Sequence, residues 1–206
     1  MNDNEQVYVI GAGGHAKVVI STLLAAGDNV QAIFDDDPRK WGESLLGIPV
    51  AGATSELGRL TSARAVIAIG DNASRRRLAK RFQRVDWVTV VHPSATVHPS
   101  VQLGPGTVVF AGTVIQPATV IGAHGIINTG ATVDHDCLIE DYAHIAPGAH
   151  LGGGVRLGEG GFLGIGSTVS PGVMVGRWTV VGAGGVVVRD LPDDVVAVGV
   201  PANPVK

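Results

Sequence analysis

The sequence holds a single cysteine, Cys137, among 206 residues. It therefore has no internal disulfide, and such a chain suits a reducing compartment. Aromatic residues make up only 4% and charged residues only 16%, so any large core must be aliphatic. No apolar run reaches the roughly 20 residues of a membrane-spanning helix. The opening MNDNEQVYVIGAGG carries neither the basic nor the long apolar region of a secretory signal. A soluble, cytoplasmic protein is expected. Positive charge is not in excess, since the formal net charge is −3. That argues against a broad nucleic-acid surface. No group of histidine, cysteine and acidic residues has zinc-ligand spacing, so no metal is expected. No Gly-x-Ser-x-Gly nucleophile elbow is present.

Glycine is abundant, at 30 residues, and it falls in register with a repeat. Six-residue steps from Val97 land only on aliphatics: Val97, Leu103, Val109, Ile115, Ile121, Ile127, Val133, Ile139 and so on to Val187, sixteen positions without a miss. Two residues before each landing stands a small or β-branched residue, as at Ala95, Thr107, Ala131 and Cys137. Neither a helix nor a simple strand has a period of six. A hexapeptide repeat is the signature of a parallel β-helix. Three hexads make one triangular coil, so sixteen make about five coils. Residues eighteen apart stack, which puts Val133 between Ile115 and Leu151. The glycines are then turn residues rather than signs of low complexity. Residues 93 to 190 form this unit and residues 191 to 206 a tail that includes a short strand at 195–200.

Ahead of the repeat, residues 1 to 92 alternate strands and helices, the pattern of a small α/β domain with a mainly parallel sheet. Strands are predicted at Gln6–Ile10, Asn29–Phe34, Ala65–Ile69 and Val85–Val91. Helices are predicted at His15–Ala26, ended by Gly27, and at Ala73–Gln83. Residues 39 to 53 read as irregular, and Thr54 or Ser55 can cap a short helix through Leu60. Between the first strand and helix lies Gly11-Ala12-Gly13-Gly14-His15-Ala16. Glycine there lets backbone approach a phosphate, and the helix N-terminus offers free N–H groups. The plain alternative is a tight turn packing helix on strand. Asp35, Asp36 and Asp37 end the second strand at the same sheet edge, where one can accept hydrogen bonds from a ribose or base. Gly70-Asp71-Asn72 ends the third strand there, a candidate third wall. Asp35 stands 24 residues after Gly11, as in NAD-binding folds. About 90 residues give only half a dinucleotide domain, so a mononucleotide diphosphate ligand fits better. Arg75, Arg76 and Arg77 read as a solvated helix face.

The densest chemistry lies mid-repeat, at Asn128-Thr129-Gly130-Ala131-Thr132-Val133-Asp134-His135-Asp136-Cys137. His135 takes a corner position where a side chain points outward, beside carboxylates that can fix its tautomer and raise its basicity. It is a candidate general base; the plain alternative is a surface histidine in a turn. His144 either faces a neighbouring site or covers a coil face. His124 and His150 lack flanking acids and read as structural or solvated. His92 and His98, in HPSATVHPS, read as turn residues.

These segments resemble a known family. The unbroken hexads are similar to those of the left-handed β-helix acyltransferases. VIGAGGHAKVV, IFDDDP and IAIGDN narrow the resemblance to the PglD/NeuD/PerB group of bacterial sugar acetyltransferases. INTGA, VDHDCLIEDYAHIAPGAHLGG and the late GVPA make it specific. The resemblance implies a left-handed helix and a homotrimer, with acetyl-CoA in the groove between adjacent β-helices. It implies that the substrate is a nucleotide-linked 4-amino-4,6-dideoxy sugar, UDP- or GDP-linked, acetylated at its amine. In it His135 is the catalytic base, Asp136 its acidic neighbour, and Asn128 a further catalytic-site residue. Gly11, Gly13, Gly14, His15, Asp35, Asp36, Gly70 and Asn72 line the nucleotide-sugar site. His144, Gly153, Ile165, Ala183 and Pro201 line the acetyl-CoA site, with His144 from a neighbouring chain. Two positions depart from the group. Asp136 stands where some members have glutamate, one methylene longer. Asn203 follows GVPA where a basic residue is common, and Lys206 is a candidate substitute. Sialate-type O-acetylation, a non-enzymatic β-helix scaffold and an NAD-binding protein are the alternatives to be separated by experiment.

Overall fold

The computed structural model describes residues 6–60 and 63–205. It opens with strand β1 (Gln6–Ile10), helix α1 (Gly14–Ala26) and strand β2 (Asn29–Phe34). Gly27 ends α1 in the left-handed conformation, with φ 87°, a role glycine fills without a Cβ penalty. The segment expected to be irregular contains a hairpin, β3 (Ser44–Leu45) with β4 (Ile48–Gly52). β4 lies parallel to β2 and buries Val50. Only two of its five residues face inward, so it carries no long apolar run to announce it. The next segment is a 3-10 helix, Thr54–Arg59, without a side-chain cap. Thr54 instead donates across the sheet edge: its N–H and hydroxyl both donate to Asp36. Strand β5 (Arg64–Ile67), helix α2 (Asn72–Arg81, capped by Asp71) and strand β6 (Asp86–Trp87) complete the layer. The sheet order is β3-β4-β2-β1-β5-β6, parallel except for the β3–β4 hairpin.

The expected strand at 85–91 divides. Its first part is β6; its last, Val90–Val91, pairs with Val108–Val109 and starts the β-helix. The cause is visible in the sequence, since Val91 itself stands six residues before Val97. From there two-residue strands repeat on three faces of a left-handed parallel β-helix. The first face runs from Val90–Val91 through Ile126–Ile127 and His144–Ile145 to Val180–Val181. Val196–Gly199 and Ala202–Pro204 extend it. The second runs from Thr96–Val97 to Val186–Val187, the third from Gln102–Leu103 to Met174–Val175. Ile115 pairs with Val133 and Val133 with Leu151, the predicted eighteen-residue stacking. Every landing residue from Val109 to Val187 is buried in one continuous core; Val97 and Leu103, in the end coil, are half-buried against it.

The first face is not free. Its outward residues Val108, Phe110 and Ile126 share a core with Ala16, Val19, Ile20 and Leu23 of α1. A second core, with Ile10, Phe34, Ala65, Ile67, Ala79 and Phe82, fills the opposite side of the small sheet and reaches Tyr142. The α/β layer is thus fastened along one side of the prism. No helix among the described residues is long and apolar enough to cross a membrane.

Candidate active site

His135 follows the Thr132–Val133 strand, at the corner between the second and third faces. Its Nδ1 lies 2.7 Å from Asp136 Oδ2. A carboxylate can only accept here, so Nδ1 carries the proton and Nε2 keeps a free lone pair. Asp136 reaches the ring because it occupies the left-handed corner, φ 59°, which aspartate tolerates better than most residues. The shorter acid therefore still makes the bond. Both side chains are open, 60% and 67% exposed. The Asp136 hydrogen bond, with the charge of Asp134 behind it, holds the imidazole above its ordinary pKa. The 2.6 Å from a hypothetical Gly153 Cβ to Cε1 and Nε2 means that the ring rests on that glycine. The His135 carbonyl accepts from Gly154 N–H at 2.8 Å.

The Gly loop forms the second candidate region. Gly11 is in the left-handed region, φ 104°, and a Cβ there would sit 2.8 Å from Ile69. Its glycine requirement comes from the fold. Gly13 and Gly14 have open space in front of them, and no side chain caps the start of α1. Asp35 does not wait free for a ligand. Its carboxylate accepts from Ala12 N–H (2.7 Å), Asp37 N–H (2.9 Å) and Lys40 Nζ (2.9 Å). Partial burial acts to raise its pKa, but those bonds, led by Lys40, hold it below the usual range. Asp36 ties Thr54 and leaves one oxygen facing Arg81 at 3.8 Å.

His15, Asn128, His144 and Gly70 come together beneath this loop. His144 is 8% exposed and packs against Phe162 and His15 of its own chain, with ring centroids 5.1 and 6.2 Å away. Its Nδ1 faces Gly70 O at 3.3 Å and its Nε2 faces Asn128 Nδ2 at 3.2 Å. A carbonyl cannot donate, so His144 is neutral with its proton on Nδ1. Burial first, then the charge of Arg75, push its pKa to about 3 and that of His15 to about 4. His15 Nε2 is buried without a partner among the described residues.

A solved structure of a histidine-to-alanine variant of GDP-perosamine N-acetyltransferase from Caulobacter crescentus, with CoA and GDP-perosamine, superposes with a TM-score of 0.94. It shares 48% identity and covers 98% of this chain and 97% of that one. The chain belongs to the PglD/NeuD/PerB-type sugar acetyltransferases. The family model of the PglD N-terminal domain matches residues 6–82. The acetyltransferase domain of PglB from Neisseria gonorrhoeae, solved also with acetyl coenzyme A, is 40% identical over 98% of this chain and 100% of that one, at a TM-score of 0.93. Among curated proteins, UDP-N-acetylbacillosamine N-acetyltransferase from Bacillus subtilis is 42% identical over 44% of each chain. An uncharacterized protein of Acanthamoeba polyphaga mimivirus is 34% identical over 41% of this chain and 17% of its own. The chain spans less than half the length of either of these curated relatives.

In this PglD/NeuD/PerB-type chain, three of the residues that the resemblance assigns to acetyl-CoA, Gly153, Ile165 and Ala183, occupy two prism corners, while His144 lies in a strand of the first face. Gly153 shares the corner of His135. Ile165 and Ala183 are exposed at the corner between the first and second faces, Ile165 at 62%. Ile165 O already accepts from Gly184 N–H. Pro201 is exposed beyond the last coil. Asn203 binds Arg189 through its Oδ1 and Pro201 O through its Nδ2, so a guanidinium stands beside the position where a basic residue is common. Lys206 lies outside the described residues.

One sequence expectation, that of a solvated arginine face, is corrected. Arg75 is not solvated: it is 1% exposed and bonded entirely to carbonyls. Arg76 lies 4.5 Å over the ring of Trp178 and bonds Glu159 at 3.1 Å. Asn72 turns to the β-helix, donating to Gly160 O (2.9 Å) and Gly161 O (3.3 Å). His124 is structural, stacked on Tyr142 with an interplanar angle of 2°. His92 and His98 each accept from a serine N–H two residues on, as turn residues do. Among the described residues no group of three or more histidines, cysteines and acids could hold a metal ion.

Proposed function

We propose that this protein transfers the acetyl group of acetyl-CoA to the 4-amino group of a GDP-linked 4-amino-4,6-dideoxy sugar. The observation that carries the reading is the His135–Asp136 pair, with Nε2 free at an open corner. Its likeness, at 48% identity, to an enzyme described with CoA and GDP-perosamine supports the guanine nucleotide. The acceptor amine must be neutral to attack the thioester carbonyl. His135 Nε2 removes its proton as the C–N bond forms. The C–S bond then breaks, and the same proton leaves with the coenzyme A thiol. Asp136 orients the ring and stabilises the imidazolium. General-base help of this kind contributes roughly 10²–10⁴-fold. The open start of α1, at Gly13 and Gly14, suits an anionic diphosphate.

The site is completed by a second copy. Within one chain, His135 and the Asn128–His144 cluster lie at opposite edges of the second face. One six-residue side separates them, at most about 20 Å at 3.3 Å per residue. The outward residues of that face, Thr96, Val114, Thr132, His150, Thr168 and Val186, include no Asp, Glu, Lys or Arg, which suits burial between copies. Three copies packed by this face bring the His135 corner of one beside the Ile165–Ala183 corner of the next, around acetyl-CoA. The test is coenzyme A release with GDP-, UDP- and dTDP-linked 4-amino sugars and a 4-hydroxy analogue. Turnover greatest with the GDP-linked amine supports the reading. Turnover of the 4-hydroxy sugar alone makes the protein an O-acetyltransferase. Absence of acetyl-CoA binding makes it a scaffold.

A further inference from the structure

Helix α2 lies along an edge of the prism where each coil turns through a left-handed residue: His124 (φ 54°), Tyr142 (φ 60°) and Gly160 (φ 64°), eighteen residues apart. The helix presents donors to three successive carbonyls of that edge. Arg75 Nε donates to His124 O at 3.0 Å and Nη2 to Tyr142 O at 2.6 Å; Asn72 Nδ2 donates to Gly160 O. Arg75 Nη1 points the other way, into the α/β layer, donating to Gly70 O (2.9 Å) and Ile69 O (3.2 Å). Nη2 also reaches Ala143 O at 3.4 Å. No carboxylate hydrogen-bonds this guanidinium among the described residues. Burying a cation without an acid partner costs several kcal/mol, and an apolar side chain would fill the same space. What an apolar residue cannot do is hold two segments in fixed relation. A rigid planar fork can.

The segment it holds matters. Gly70 O also accepts from His144 Nδ1, and His144 Nε2 accepts from Asn128, whose Oδ1 is fixed by Thr129 N–H. The line runs unbroken from Arg75 through Gly70 and His144 to Asn128. We propose that Arg75 is a positioning residue: by clamping the Gly70 carbonyl to the β-helix edge it sets the orientation of His144 and Asn128 at the acetyl-transfer site. This rests on the function proposed above.

The test compares Arg75→Lys and Arg75→Met with the parent protein. Lysine keeps the charge and loses the fork; methionine loses both, and if it fails to fold the lysine variant still decides. Two readouts are taken on folded protein. Long-range ¹H–¹⁵N spectra of the imidazoles report the His144 tautomer without any substrate, so this arm stands even if no amino sugar turns over. Steady-state coenzyme A release reports kcat and both KM values. The expected result is loss of the single Nδ1–H form of His144. With it kcat falls by ten-fold or more, since misplacement by about 1 Å can cost on the order of 10²-fold; the KM for acetyl-CoA stays within about three-fold. A His144 signal unchanged in the lysine variant overturns the proposal, and so does a changed signal with kcat within two-fold. A part that only stabilises the fold lowers the melting temperature without moving the tautomer.

Discussion

Replacing Gly153 by alanine places a methyl carbon 2.6 Å from both Cε1 and Nε2 of His135. Carbon atoms rest at about 3.5–4.0 Å from their neighbours, so the ring must retreat by about 1 Å. The backbone at Gly153 is not left-handed and accepts alanine. The imidazole is exposed and can swing outward, so stability changes by no more than about 0.5 kcal/mol, as for most surface substitutions. Catalysis is the sensitive quantity. The displaced ring loses its 2.7 Å bond to Asp136 and, in the proposed mechanism, its aim at the substrate amine; such a misplacement costs on the order of 10²-fold in kcat. The assay is coenzyme A release by the purified variant, beside a thermal melt. A kcat within three-fold of the parent, with an unchanged melt, refutes the position assigned to the working imidazole.

Asp136→Asn replaces with a neutral amide the carboxylate whose hydrogen bond leads in raising the His135 pKa. In the proposed mechanism the working form of His135 is the neutral ring, so the acid limb of kcat/KM moves to lower pH while the plateau falls; an unmoved limb contradicts the pairing. Stability also carries a pH signature. His15 and His124 are pushed to about 4 and His144 to about 3, by burial first and the Arg75 charge second. Unfolded, each titrates near 6.5, so from there down to about 4 the unfolded chain binds protons the native one refuses. Stability is therefore full above pH 6.5 and falls below it, with a slope of up to about 1.4 kcal/mol per pH unit per histidine. Urea midpoints measured from pH 7.5 to 5 check this, and a flat profile contradicts it.

The ladder made most of the prism legible, because one aliphatic every six residues has no other compact solution. Its start was less clear. Val90 and Val91 read equally well as the end of a sheet strand, and only pairing with Val108 and Val109 assigns them to the β-helix. β4 escaped notice because Pro49, Ala51 and Gly52 surround its one well-buried aliphatic, Val50. His135 and Asp136 were legible as a pair because they are adjacent in sequence. The Arg75 clamp was not. Its partners are all main-chain carbonyls, those on the β-helix 49 to 68 residues away, and a carbonyl leaves no mark in a sequence. The side chains of Arg75, Arg76 and Arg77 look alike, yet a helix turns them in different directions. The same reasoning covers Asp35: its place at the sheet edge was readable, while its capture by Ala12, Asp37 and Lys40 required the folded loop.

The proposed mechanism stands on His135 as the base of an acetyl transfer to a nucleotide-linked amine. The most direct measurement is kcat for His135→Ala with acetyl-CoA and a GDP-linked 4-amino-4,6-dideoxy sugar, at saturating concentrations of both. A fall of at least about 10²-fold is expected, with the thermal melt and the mass of the assembly unchanged. Turnover near that of the parent protein contradicts it.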